Sequence, residues 1–285
     1  MNNYSSIAYR REDRASHDIL RLRVPMLRVV LWTVLAVIAL VAVMPSLYLL
    51  LWAFFGSETV GILERVPSLK WFAEVFANPE WQTSIAYSTV LAFVVSLVSV
   101  LALGIHFYCM RYSSALLEIT AYAATIVPVI LPQVIYALAL RVLGGKVGLP
   151  ELLLVFAGHL VFVLPLQFFV LDAGQETVPT ELLYAGSTLG ASHLTNITSN
   201  YFPLMTRPVI IAFLVGFFFS FDELVIATFV IDSPMVTVTR RLWDQVPRSM
   251  VPSPAVIGCS LLGASAFLML LVLAASQRNR KKCLY

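Results

Sequence analysis

The sequence predicts an all-α, polytopic membrane protein with six transmembrane helices. Composition is the first reason. Of 285 residues, 59% are hydrophobic and 12% charged, and the mean hydropathy is +0.85. A water-soluble core of this size cannot bury so much apolar surface. The second reason is the number and length of the apolar segments: six approach or exceed the roughly 20 residues that cross a hydrocarbon layer of about 30 Å. The third is their texture. The apolar runs are nearly continuous and show no sustained period-two alternation, which argues against a β-barrel.

Residues 1–27 read as a basic tail and 28–54 as the first span, which contains "RVVLWTVLAVIALVAVM". An Arg-rich start before an apolar run also fits a cleaved leader. This run is about twice too long for that and no small-residue cleavage site follows, so a retained span is expected. Residues 55–83 form a loop in which Leu69, Phe72, Val75 and Phe76 fall at helical spacing. A short amphipathic helix on the membrane surface and a packed re-entry segment both fit. Residues 84–275 form the core, with spans at about 84–109, 115–142, 149–172, 208–230 and 254–275. Pro128, Pro132 and Pro165 lie inside spans and predict kinks there. The segment 231–253, with Pro234, Pro247 and Pro252, reads as a loop, and 276–285 as a second basic tail.

Lys and Arg counts orient the chain. The first tail holds Arg10, Arg11, Arg14, Arg21, Arg23 and Arg28; the last holds Arg278, Arg280, Lys281 and Lys282. Arg111 and Arg207 fall on the same side, against Arg65, Lys70, Arg141, Lys146, Arg240, Arg241 and Arg248 on the other. Both termini and the 173–207 loop are therefore expected in the cytoplasm, on the strength of the tails. The net charge of +3 says little about nucleic acid. Cys109, Cys259 and Cys283 form no CxxC and no Cys/His cluster, so neither a disulfide framework nor a metal site is expected. No nucleophile–base–acid set appears, so catalysis on this chain is not expected.

The 173–207 loop is too long for a minimal connector and too apolar for a solvated tail. Glu176, Thr177, Thr180 and Glu181 suit a helix start, with Thr177 or Thr180 as the cap. The helix runs from about Glu181 to Leu189 and stops at Gly190. A second short helix follows from Ser192 or His193 and ends before Pro203. Ala185 and Gly186 leave a shallow face, which fits either close approach of another protein's backbone or nothing more than small residues in a turn.

"YAGSTLGAS" (184–192) followed by "YFPLMTRPVI" (201–210) resembles the EAA loop of the membrane subunits of binding-protein-dependent (type I) ABC importers. That pattern is E-A-A, three residues, then G-A, with prolines further on. Tyr184, Ala185 and Gly186 occupy the first places, Gly190 and Ala191 the later ones, and Ser192, Pro203 and Pro208 follow. "GHLVFVLPLQFFVL" (158–171) and "FSFDELVIATFV" (219–230) extend the likeness, which covers about 60–275. The S-x-D-[DE] cluster at 220–223 looks most like the polyamine (putrescine/spermidine) branch. The chain departs from the pattern where Tyr184 replaces the glutamate and Gly186 the second alanine; Glu181 lies one turn earlier.

The resemblance implies a permease subunit of a bacterial inner-membrane importer. Its loop would form a coupling helix seated on a cytoplasmic ATPase. It further implies pairing with a second homologous permease, two ABC ATPase subunits and an external solute-binding protein, within membrane lipid. No cofactor is expected on this chain, since ATP and Mg²⁺ would sit on the partner ATPases. The sequence agrees: no G-x-x-x-x-G-K-[ST] occurs, and "LGGK" (143–146) lacks the first glycine and the hydroxyl residue.

Ionisable groups at membrane depth cost a few kcal/mol each and are functional candidates. Asp222 and Glu223 lie about 14 residues into the fifth span, roughly 21 Å along it. Adjacent positions point about 100° apart, so one is expected on the solute path and the other against a neighbouring helix; two structural carboxylates also fit. Gln133 with Tyr136, and His159 with Gln167, share faces and read first as helix-to-helix hydrogen bonds, second as substrate contacts. Glu118 and His106 read as interfacial or packing residues. The solute expected is a polyamine or another small cationic or amino compound. The rival readings are a same-family importer of an opine-like compound or ferric ion, an ion-coupled secondary transporter working through Asp222 or Glu223, and a non-transporting scaffold.

Overall fold

The computed structural model describes residues 4–57, 63–110, 114–234, 236–245 and 252–282, apart from the side chains of 4–27, 115, 118, 268–269 and 271–282. Arg111, Pro247, Arg248 and Cys283 lie outside the described residues, as do the side chains of Glu118 and of the tail arginines and lysines before Arg28 and after Leu270. Two compact units emerge, 1–75 with 250–285, and 76–249.

In the first unit, α1 (Tyr4–Phe55) is one helix of 52 residues, so helix begins far upstream of the expected first span. It packs against α12 (Ser253–Lys282). Gly56 makes this contact possible: a Cβ there would lie 2.4 Å from Trp52 O and 2.6 Å from Pro252 Cγ. The expected amphipathic helix is α2 (Lys70–Ala77). Its buried residues are Trp71 and Val75, while Leu69 and Phe76 are exposed. The indole decides the orientation, since Trp71 Nε1 donates to Gly56 O at 2.8 Å and a buried N–H must find an acceptor.

The second unit comprises α3 (Pro79–Met110), α4 (Ala115–Ile130), α5 (Gln133–Val147), α6 (Glu151–Gln175), α7 (Thr180–Thr188), α8 (His193–Thr195), α9 (Phe202–Phe221), α10 (Val225–Val230) and α11 (Val238–Gln245). A π-helical segment, Asn196–Tyr201, joins α8 to α9. Among the described residues, four helical stretches are long and apolar enough to cross a membrane: Arg28–Phe55, Pro79–Met110, Glu151–Gln175 and His193–Phe221. The described apolar part of α12 is Ser253–Phe267.

Three sequence expectations are corrected. The third span is no kinked rod: Ile119–Ile130 and Gln133–Val147 meet at 98°. Pro132 forces Leu131 into extended backbone (φ −78°, ψ 136°), as a residue before proline prefers. The fifth span starts earlier than Pro208 and breaks at Asp222–Leu224, where α9 ends and α10 begins. The 231–253 segment carries helix α11 rather than plain loop.

Helices α3, α6 and α9 form the core of this unit. Ser84, Ser88, Ser96 and Ser99 lie along one buried face of α3. Ser96 Oγ donates to Phe213 O (2.6 Å) and accepts from Gln167 Nε2 (2.8 Å); Ser99 Oγ donates to Gln167 Oε1. The fully buried Gln167 amide on α6 and the Ser96 hydroxyl on α3 together tie three helices. Gly216 leaves the room, since a Cβ there would overlap Gln167 Nε2. Small residues and side-chain hydrogen bonds hold helices in lipid, where apolar contact alone gains little over the acyl chains.

Candidate functional site: an exposed helical loop and a broken span

The loop between α6 and α9 is built on a proline, a glycine and an asparagine. Pro179 precedes α7 and no side chain caps it. Neither expected threonine does so: Thr180 is the first helical residue, and Thr177 Oγ1 turns back to Gly174 O (2.7 Å). The helix ends as expected at Gly190, in the left-handed region at φ +86°. Gly190 N donates to Ser187 O and Ala191 N to Gly186 O, both at 3.0 Å. These are the two bonds of a Schellman termination. Ser192 then caps the next turn, accepting from Thr195 N (3.2 Å).

Asn196 closes the loop on itself. It is fully buried; its Nδ2 donates to Leu183 O (3.1 Å) and Ser187 Oγ (2.9 Å), and its Oδ1 accepts from Asn200 Nδ2 (2.8 Å). A Cβ on Gly186 would lie 2.2 Å from that Oδ1. The smallness of Gly186 therefore serves contact within the loop. The second short helix does not end before Pro203. The ladder widens to π geometry, with Phe202 N reaching Ile197 O, and continues into α9 with Pro203 in its first turn. A proline has no N–H to give, and the wider turn lies immediately before it.

Leu183 is the buried anchor of α7, in a cluster with Val178, Tyr201, Met205, Phe168 and Leu171. The rest of the loop faces outward. Glu181, Ala185, Ser192 and Pro203 are exposed, and three large apolar side chains stand at the tip: Tyr184 (58% exposed), Leu189 (88%) and Leu194 (70%). The loop is a rigid platform with an apolar crown.

The break in the fifth span separates the two carboxylates. Asp222 closes α9, its N–H bonded to Phe218 O (3.0 Å), and its side chain is exposed. Glu223 turns inward and caps α10: its carboxylate accepts from Ile226 N (2.9 Å) and Ala227 N (3.3 Å). His159 of α6 faces the same point, with Nδ1 2.8 Å from Ser220 Oγ and Nε2 3.5 Å from Glu223 Oε2. Glu223 and His159 are thus closed inside this unit. Gln133 opens α5, half-buried, and Tyr136 packs edge-on against Phe162 at 5.7 Å. The structure brings His159 and Glu223 together in the interior, while the side chain of Asp222, next in the chain, is exposed.

Two groups escaped the sequence reading. The α3 serines recur at positions 84, 88, 96 and 99, a helical repeat that marks a buried polar stripe. Helix α11 is held by Arg241, whose Nε donates to Ser84 Oγ (2.7 Å) and whose guanidinium pairs with Glu80, while Val238 N donates to Ser88 Oγ (2.8 Å). Arg240 donates to Ala227 O (2.9 Å) and to Ile231 O. Two adjacent arginines in a short segment rich in β-branched residues were the available signal.

Comparison with known proteins follows the same outline. The spermidine/putrescine transport system permease protein PotC of Haemophilus influenzae is 21% identical over 234 residues, 79% of this chain and 88% of that protein. PotC of Escherichia coli K12 is 24% identical over 231 residues, 78% and 83% respectively. The inner membrane ABC transporter permease protein YnjC of E. coli K12 is 40% identical over 60 residues, 21% of this chain and 12% of that one. No family model matches the chain. Among solved structures, a bacterial ABC transporter involved in the import of the acidic polysaccharide alginate superposes with a TM-score of 0.64 at 15% identity, covering 89% of this chain and 96% of that one. An amino acid ABC transporter crystallised with histidines gives 0.52 at 17%, covering 74% and 99%. The chain has the all-α membrane fold of ABC transporter permeases.

Proposed function

We propose that this chain is the transmembrane permease subunit of an ATP-driven ABC importer, forming half of the path for a polyamine or another small cationic or amino solute. The observation that carries this reading is the α6–α9 loop. It is stiffened internally by Asn196 and the Gly190 termination, and it presents Tyr184, Leu189 and Leu194 to a partner. The likeness to polyamine permeases over about four-fifths of the chain supports both the class and the solute.

In this reading, α7 seats on a cytoplasmic ATPase and both termini are cytoplasmic. Closure of two ATPase subunits moves α7, and the platform passes that motion to α6 and α9 through Leu183 and the Gln167 network. A second permease completes the path, and an external solute-binding protein delivers the solute. ATP and Mg²⁺ act on the ATPase subunits; this chain is not the enzyme. Asp222, exposed where the fifth span breaks, supplies the negative charge that a cationic solute meets. Glu223 and His159 hold the break in shape, and Gln133 and Tyr136 stand where the third span bends.

Mild detergent purification of the tagged chain, co-expressed with its genomic neighbours, tests this. Mass spectrometry should find an ATPase, a second permease and a binding protein, and ATP hydrolysis should rise with loaded binding protein. A chain that purifies alone, with solute uptake following an ion gradient, would overturn the reading. Asp222→Asn should then lower uptake of the cationic solute at least tenfold; normal uptake removes Asp222 from the path.

A further inference from the structure

Asp222 and Glu223 are neighbours in the chain, yet one side chain is exposed and the other buried. What sorts them lies on α6. His159 is fully enclosed, and its two ring nitrogens face the two sides of the break in the fifth span. Nδ1 is 2.8 Å from Ser220 Oγ, in the last turn of α9. Nε2 is 3.5 Å from Glu223 Oε2, just before α10. The helices come this close because residue 158 is glycine: a Cβ there would lie 2.6 Å from Ile226 Cγ2, in the first turn of α10. Ser220 and Glu223 are buried with the ring.

The hydrogen bonding around the ring has one self-consistent arrangement. The Glu223 carboxylate accepts from Ile226 N and Ala227 N. An ionised carboxylate has no proton to give, so the nitrogen facing it carries the hydrogen. Nε2–H then points at Glu223, and Nδ1 accepts from the Ser220 hydroxyl. Among the described residues Nε2 has no other partner, and a buried N–H is rarely left without an acceptor. We propose that His159 is a positioning residue: by holding Glu223 inward through Nε2–H, it leaves Asp222 as the carboxylate presented at the break. Without that donor the glutamate, one methylene longer than its neighbour, turns toward the opening, and the break presents two carboxylates instead of one. The inference rests on the importer reading only for what the presented carboxylate meets; the sorting itself is a property of this chain.

The test labels carboxyl groups of the full chain in lipid nanodiscs, with a water-soluble carbodiimide and an amine, and reads positions 222 and 223 by tandem mass spectrometry. In wild type Asp222 should label and Glu223 should not. His159→Phe keeps a ring but neither nitrogen, and should raise Glu223 labelling about tenfold or more, the factor that a hydrogen bond to a charged group is worth. His159→Gln carries an amide N–H to the place of Nε2 and should restore the wild-type pattern. His159→Asn reaches only as far as Nδ1 and should not. Labelling of both carboxylates in wild type overturns the inference. Equal labelling of Glu223 in the Gln and Asn variants also overturns it, and that pair decides the matter should His159→Phe fail to fold. In uptake measurements the cost of Asp222→Asn should largely vanish in the His159→Asn background, because Glu223 then stands in for it. A cost as large as in wild type overturns the positioning role. The labelling needs neither ATPase nor solute. A chain that sorts its carboxylates but recruits no ATPase therefore keeps this inference and loses the importer reading, and one that recruits the ATPase without sorting them loses this inference alone.

Discussion

Helices α7 and α11 are both short, both lie outside the long apolar helices and both belong to the second unit, yet they are held in opposite ways. Helix α11 is tied down by charge. Arg240 reaches two backbone carbonyls, Arg241 reaches Ser84 and Glu80, and the helix start is bonded to Ser88. Helix α7 is held by one leucine and one asparagine, while Tyr184, Leu189 and Leu194 remain exposed around it. Its polar atoms are spent on its own shape and its apolar atoms face outward. The first arrangement seals a surface; the second leaves one to be sealed. Under the proposed function, the exposed apolar residues around α7 are the surface that the ATPase covers.

The largest effect should come from charging that surface. Leu189→Asp with Leu194→Asp charges two of the three crown residues without touching Leu183 or Asn196. Thermal stability of the purified chain should stay within about 0.5 kcal/mol, as for exposed substitutions generally. Association with the proposed ATPase should weaken roughly 30-fold or more, since central interface residues contribute about 2 kcal/mol or more each. Undiminished ATPase recovery in pull-downs would erase the functional contrast between α7 and α11.

Next is Arg241→Ala, which should do the reverse. It leaves Ser84 without its donor and frees the start of α3 from α11. A charged hydrogen bond lost from a mostly buried arginine costs about 1.5–3 kcal/mol. Stability in detergent should fall by that amount, with ATPase recovery unchanged. Loss of ATPase binding at full stability would mean that α11, and not α7, is the docking element.

One side of this contrast, the α7 side, was legible in the sequence, for identifiable reasons. Gly190 was readable as a helix stop because a positive φ singles out glycine. The position of α7 followed from it, within a residue or two. The tail helix, α11 and the break at Asp222–Leu224 were not readable. Hydropathy reports how long an apolar run is and is blind to whether helix continues through polar residues, so α1 upstream of Arg28 read as a tail. Glu223 looked like a charge in a span because its backbone partners, Ile226 N and Ala227 N, exist only once α10 has started anew. The smallness of Gly186 was visible, but its use was not. The close neighbour is Asn196, ten residues on, and only the folded loop brings them together.

A smaller effect belongs to Gly190. Its φ of +86° and the open space around it mean that a new side chain meets no atom, only backbone strain. Gly190→Val should cost about 1–2 kcal/mol locally; Gly190→Asn should cost less, because asparagine tolerates this region. Uptake should follow the same order, with valine the worse. Amide exchange of Ala191, bonded to Gly186 O, gives the local reading that global melting would miss. Equal exchange in both variants would show that the loop's shape does not depend on its glycine.

The smallest effect separates the two helices by pH. Next to the α10–α11 side, Asp232 pairs with Arg141 at 2.5 Å, and this hydrogen bond holds its carboxyl below the usual carboxylate range. A carboxylate whose folded-state pKa is lowered contributes above its unfolded pKa, near 3.9, and loses that contribution as pH falls through the lowered value. Wild type and Asp232→Asn should therefore differ by a small, constant margin in melting temperature from about pH 6 upward. The margin should close below about pH 4. The pair is exposed, so salt should shrink it at every pH. The Asn196 clasp under α7 has no group that titrates, and Asn196→Ala should open a gap from wild type that pH does not change. If that gap also closed in acid, the neutral clasp would not be what holds α7, and the contrast between a charge-tied and an amide-tied helix would fail at its base.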